Sequence, residues 1–254
     1  MDHHVLQEYL TAHQFPVVKK TYKKYLTYEG IQDSYVYILK SGVIKTSVIS
    51  KDGRQFNLRY INQLEIVSLL KDEYSQFIDA PFNIRIESPE AELYRIDRVQ
   101  FWKDINRSMD LQLYVKDYYR VRLLHNMQKL QQMLMNGKFG AVCTQLYEFQ
   151  ELFGVPKEEG ILIDFVVTNE EIARFCGITT ASSVSRMLQQ LREMKAISIE
   201  NHKILIRDLE KIKENIIFLH PFRMLFKESL GVFHRLQGVL GVVIRPDKLP
   251  VVFI

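Results

Sequence analysis

The chain reads as an α+β protein built in three successive parts, and three observations carry that reading. Residues 21–99 hold short apolar runs and alternations broken by turn signals, the mark of antiparallel strands. From Val99 to Met135 there is neither proline nor glycine, which suits a long helical region. Beyond it, two amphipathic patterns flank Gly177 and lead into two short apolar runs around a polar turn. With 254 residues, 47% hydrophobic and 25% charged, the chain has globular composition and room for one large or two ordinary domains.

The strand-rich part, residues 1–106, turns on the stretch YVYILKSGVIKTSVISKDGRQFNLRYI. Asp52-Gly53 lies between apolar runs and predicts a hairpin, because glycine tolerates φ > 0. Further strands are expected at 82–87 and 91–96. Strands so spaced suggest a small antiparallel barrel or sandwich.

The helical part covers 107–136. Leu123, Met127, Leu130 and Leu134 follow a 4-3-4 spacing, the a/d seam of a dimer helix. Leu113 extends it upstream, but Lys116 and Arg120 take the next two positions. Packing of the long helix on its own domain is the alternative.

The third part, 137–213, opens where Asn136-Gly137-Lys138 stops the long helix. Phe139, Val142, Leu146, Phe149 and Phe153 give a new helix one apolar face. GVPKEEG reads as a loop and ILIDFVV as a strand. Thr168 with Glu171 forms a T-x-x-E capping box, and Gly177 ends the helix it starts. A second helix begins at Thr179 or Thr180, both good N-caps. Val184, Met187, Leu188, Leu191 and Met194 form its core stripe, and Ser182, Ser185, Arg186, Gln189 and Arg192 its other face. AISIE, NHK and ILIR then make a two-stranded wing. Together these elements are a winged helix-turn-helix.

Charge is consistent with that motif only locally. The formal net charge is +4, too small to imply a polyanion partner. Residues 138–214 carry ten Lys/Arg against twelve Asp/Glu, but 172–213 carry eight against four. The bases expected on the reader and wing are Arg174, Arg186, Arg192, Lys195, Lys203 and Arg207; phosphate contacts need such local clustering.

The order of strand-rich domain, long helix and winged helix-turn-helix resembles the Crp/Fnr family of bacterial transcription regulators, and within it the PrfA-like branch of Gram-positive virulence regulators. The matching residues are Asn136-Gly137-Lys138-Phe139-Gly140 and the pattern Thr168, Glu171, Ile172, Gly177, Ile178, Ser182, Val184, Ser185, Arg186. Val184 falls seven residues after Gly177, one more than in the commoner register, as in the PrfA-like pattern. The resemblance covers roughly 20–215 and is most specific in 136–190. It implies a cyclic-nucleotide-binding-type β-barrel, a dimerisation helix, and a homodimer reading pseudo-palindromic double-stranded DNA with half-sites about one turn apart. It also implies RNA polymerase as a partner, a cytoplasmic location, and reader positions Ala181, Ser182, Ser185 and Arg186; Thr179 and Thr180 at the helix start and the wing base Lys203 complete the expected DNA-binding set. Arg186 is the candidate for a bidentate guanine contact.

For effectors, Glu65 and Arg85 fall where a cyclic-nucleotide cassette would lie, but no glycine precedes Glu65 and no small residues follow Arg85. Cyclic AMP binding is therefore not expected. Iron–sulfur ligation also fails, since the two cysteines are Cys143 and Cys176; these read as reduced thiols, and no metal spacing appears. The PrfA-like branch is linked to glutathione. Its tyrosine position is Tyr60 here and a helix tyrosine becomes His125, so glutathione is not supported residue by residue; Tyr60 and His125 remain the effector-contact candidates. No signal peptide or membrane span is expected. Residues 214–254 are read as an extension that packs on the reader domain, or else as a partner or membrane-surface helix or a poorly folded end. Of the competing function classes, an enzyme lacks a nucleophile triad, phosphate loop or metal set, while a protein-interaction module built on barrel and winged helix remains the alternative.

Overall fold

The computed structural model describes residues 3–68 and 78–216. The expected extension at 214–254 therefore lies almost wholly outside the described residues. The chain starts with α1 (His4–His13) and then runs through β1 (Val17–Thr21), β2 (Tyr25–Thr27), β3 (Gln32–Asp33), β4 (Tyr35–Ser41), β5 (Ile44–Ile49), β6 (Gln55–Ile61), β7 (Glu65–Ile66), β8 (Ile78–Asp79), β9 (Asn83–Ile86) and β10 (Glu90–Asp97). Two antiparallel four-stranded sheets result, ordered β1-β10-β4-β7 and β2-β9-β5-β6, with β3 paired to β8. The expected hairpin is present: β5 pairs with β6 around Gly53, whose φ is +81°.

The two sheets share one core. Leu39 and Leu93 from one meet Ile44, Ile61, Ile84 and Ile86 from the other. Of the two arrangements the strand spacing suggests, this is the sandwich, so the barrel-type domain that the resemblance implies is not closed. The ladder breaks where the chain changes sheet. At Gly42, between β4 and β5, φ is +93° and an added Cβ would sit 2.5 Å from Glu90 O. At the other corner, between β9 and β10, Pro89 has no N–H to donate.

The region free of proline and glycine is two helices. Asp97 caps α2 (Arg98–Arg107) by accepting from Gln100 N, and Ser108 caps α3 (Met109–Met135) by accepting from Leu111 N. Helix α1, which the sequence reading passed over, packs Leu6, Tyr9 and Leu10 against Phe101, Ile105 and Tyr114. Gly137, at φ +59°, turns the chain into α4 (Gly137–Phe153).

The stretch read as a loop at 154–160 is instead half of a hairpin, β11 (Gly154–Lys157) with β12 (Gly160–Ile163). Pro156 is tolerated there because β11 is an edge strand. Then come α5 (Asn169–Cys176), α6 (Ala181–Glu193), β13 (Ile197–Glu200), β14 (Lys203–Ile206) and α7 (Leu209–Lys213). The second sheet system is ordered β11-β12-β14-β13. Asn201 and His202, both at positive φ, close the wing in the two-residue turn that matches strand twist.

Candidate nucleic-acid interface

Helix α5 begins at Thr168, whose hydroxyl accepts from Glu171 N at 3.1 Å. It ends at Gly177, φ +63°, whose N–H bonds Ala173 O. A Cβ there would meet nothing nearer than 3.8 Å, so backbone conformation and not space requires the glycine. Thr180 caps α6, its hydroxyl accepting from Ser183 N at 3.3 Å. Ile172, Phe175, Val184, Leu188 and Leu191 form a single core with Val142, Leu146 and Phe149 of α4. This packing fixes which face of α6 is left for solvent.

That face carries Ser182, Ser185, Arg186, Gln189 and Arg192, all exposed. Arg186 makes only a long 3.4 Å contact with Ser183 Oγ, and Arg192 one of 3.1 Å with Gln189 Oε1. Thr179 is exposed and Ala181 half-buried. Thr180 and Ser182 are partly used locally, because Ser182 Oγ donates to Thr180 Oγ1 at 3.2 Å. Between α6 and the wing lies an open groove walled by Thr168, Asn169, Ser185, Gln189, Arg192 and His202, among others. Asn169 and His202 were missed from the sequence, although the polar NHK turn at the wing tip was a visible signal. Lys203 borders this surface with its Nζ 2.5 Å from Asp164 Oδ1, and that contact holds the Asp164 carboxyl below its usual range.

Two of the six bases assigned to the reader surface face elsewhere. Arg174 turns to Glu170 at 2.6 Å and to Gln55 of β6 at 3.2 Å. Arg207 turns to Glu159 at 2.6 Å and Ser198 at 2.9 Å. A lone sequence cannot place Gln55 or Glu159 beside them, because these come from other elements, whereas the Glu170–Arg174 pair is an i,i+4 pair on α5 itself.

The seam residues Leu123, Met127, Leu130 and Leu134 are 61%, 44%, 59% and 77% exposed. Helix α3 thus presents an uncovered apolar stripe, while its start packs Leu111, Tyr114, Val115 and Tyr118 inward.

The two effector candidates occupy separate places. Tyr60 of β6 is buried among Phe149, Phe153, Phe165 and Phe175, with centroids 5.0–5.7 Å away. Burial pushes its phenol well above the usual range. His125 is half-buried on α3; burial pushes its imidazole down, partly offset by the Glu148 charge. Glu65 is 2% exposed and accepts from Arg59 at 2.5 Å and Arg122 at 2.7 Å. Arg85 donates to Glu87 at 2.6 Å and reaches Glu171 at 3.4 Å. Burial pushes the Cys143 and Cys176 thiols up to about 12. Among the described residues no cluster of three or more His, Cys, Asp or Glu could hold a metal, and no helix is long and apolar enough to cross a membrane.

Residues 141–214 match the model of the Crp-like helix-turn-helix domain. The chain is 51% identical over 211 residues to the lactate racemization regulatory protein of Lactiplantibacillus plantarum, covering 83% of this chain and 96% of that one. It is 25% identical to the listeriolysin regulatory protein of Listeria monocytogenes, over 76% of this chain and 88% of that protein. Among solved structures, FixK2 from Bradyrhizobium japonicum superposes with a TM-score of 0.68 at 14% identity, covering 81% of this chain and 98% of that one.

Proposed function

Because the chain belongs to the Crp/Fnr family of DNA-binding transcription regulators, we propose that it acts as a homodimer placing two copies of α6 on the half-sites of a pseudo-palindromic promoter element. Its task is binding, and no catalytic step is assigned to it. The observation that carries the reading is the exposed polar face of α6 beside the wing groove. The uncovered apolar stripe of α3 supports self-association, since a monomer would leave it in water.

In this account Arg186 reads a guanine, worth ~1–3 kcal/mol of discrimination. Ser182 and Ser185 offer hydroxyls to base edges, and Ala181 offers a small apolar contact. Thr179, Thr180 and the N–H groups opening α6 take phosphate. Lys203 takes phosphate from the wing after exchanging its Asp164 partner. With one strong base reader, DNA shape supplies part of the specificity.

DNA, a second copy of the chain and RNA polymerase are the proposed partners, in the cytoplasm. The finer assignment to the PrfA-like branch is supported by the listeriolysin regulator relative. The more similar lactate racemization regulator points to lactate racemization genes as the targets. Cyclic AMP is not proposed as effector, because Glu65 and Arg85 are held by the chain's own charges; an effector contacting Tyr60 would first have to displace its phenylalanine neighbours. The test is salt-dependent binding to promoter duplexes. Preference for a two-half-site sequence over a scrambled one is expected, and equal affinity for both would refute the reading.

A further inference from the structure

Where α5 meets the sandwich, a buried ion cluster plays no part in the reader surface. Lys45 of β5 is wholly buried, a position lysine takes only when paired. Its Nζ lies 2.5 Å from Glu171 Oε2 and 3.4 Å from Glu87 Oε1. Asn57 Nδ2 of β6 donates to the same Glu171 oxygen at 2.8 Å, and Arg85 Nη2 of β9 reaches the other at 3.4 Å. Donors from three strands thus converge on one carboxylate of the helix-turn-helix.

Glu171 stands at the third residue of α5, where the capping box would turn it back to the helix N-terminus. It is diverted to the sheet instead, leaving Thr168 to cap alone. The diversion matters for geometry. Apolar packing tolerates sliding, whereas charge-assisted hydrogen bonds fix direction. A second tie, Arg174 to Gln55 at 3.2 Å, holds the next turn of α5 to β6. Since α5 and α6 share one core, whatever orients α5 orients α6.

We propose that Glu171 and Lys45 are positioning residues for DNA reading: their ion pair sets the angle of α6 against the sandwich, and hence, in the dimer, the half-site spacing the protein accepts. The proposal rests on the two-half-site reading above. Each base pair added between half-sites rotates one of them by about 35°, so a rigid pair of readers rejects wrong spacers and a loosened pair does not. Bivalent engagement is lost when geometry forbids it.

The experiment uses the full chain and duplexes with identical half-sites and spacers varied one base pair at a time. Wild type should prefer one spacer by at least roughly tenfold. Glu171→Ala and Lys45→Met should each flatten that preference to about threefold or less, with affinity for an isolated half-site unchanged. Glu171→Gln, which keeps the shape but removes the charge and turns an amide N–H2 toward donors, should flatten it as well. In the same samples, amide exchange of α5 without DNA should speed up in all three variants. This second readout stands if an altered protein is too weakened to bind DNA. Variants with the wild-type spacing profile, or with α5 exchange unchanged, overturn the proposal. A wild type indifferent to every spacer overturns instead the two-half-site reading, and α5 exchange then still decides the clamp.

Discussion

Replacing Tyr60 with alanine should reveal how tightly the sandwich and the reader domain are joined. Among the described residues, Tyr60 is the one buried residue of the N-terminal sandwich in the core of the helix-turn-helix. Its ring is 4% exposed and meets four phenylalanines. Truncating a large buried aromatic costs about 3–5 kcal/mol, including the cavity left behind. The hydroxyl adds little, since its contact with Glu171 Oε2 is 3.5 Å long. Tyr60→Ala should therefore lower urea-unfolding stability by ~3–5 kcal/mol, and Tyr60→Phe by under ~1 kcal/mol. Wild type should unfold in one transition, while the alanine variant should lose the reader domain first. A Tyr60→Ala loss below about 1 kcal/mol would refute the shared-core argument. Equal losses for alanine and phenylalanine would place the energy in the hydroxyl instead.

Arg186→Ala should weaken specific operator binding by roughly 5–150-fold, the equivalent of one bidentate base contact, while leaving the dimer intact by sedimentation. Lys203→Ala should cost affinity about equally for all sequences and lower the slope of log K against log salt by about one. A Leu123→Asp/Leu130→Asp double variant should sediment as a monomer while keeping its helix content, because both side chains are exposed in the single chain. His125 is depressed in the folded state by burial, so the unfolded chain protonates first as pH falls. Stability should then be flat above the unfolded pKa of about 6.5 and decline below it, down to the lower folded value. His125→Gln should flatten that decline in urea midpoints measured across pH 8 to 5.

What the sequence disclosed and what it hid follow a physical line. Signals confined to one element were readable: Gly53 in its hairpin, Gly177 at a left-handed turn, Thr180 as a cap, and the buried stripe of Val184, Leu188 and Leu191. Helix α1 had such a signal too, in the spacing of Leu6, Tyr9 and Leu10, and it was overlooked. Features that depend on a partner far along the chain were not readable. Glu171 looks like half of a capping box until Lys45, 126 residues away, is brought beside it. Arg174 and Arg207 look like phosphate ligands until Gln55 and Glu159 take them. The edge strand at 154–157 hid behind Pro156, which argues against a central strand but not an edge one. The strand spacing leaves barrel and sandwich both open, because strand count and spacing do not show where the ladder breaks at Gly42 and Pro89.

The most direct test of the central claim is genome-wide mapping of the sites this protein occupies, followed by titration of the recovered sequence in vitro at several salt concentrations. The account predicts a pseudo-palindromic motif with half-site centres about one helical turn apart, a guanine in each half-site that loses its influence in Arg186→Ala, and binding that weakens with salt. Occupancy without a shared motif, or a motif lacking twofold symmetry and indifferent to Arg186, would contradict it.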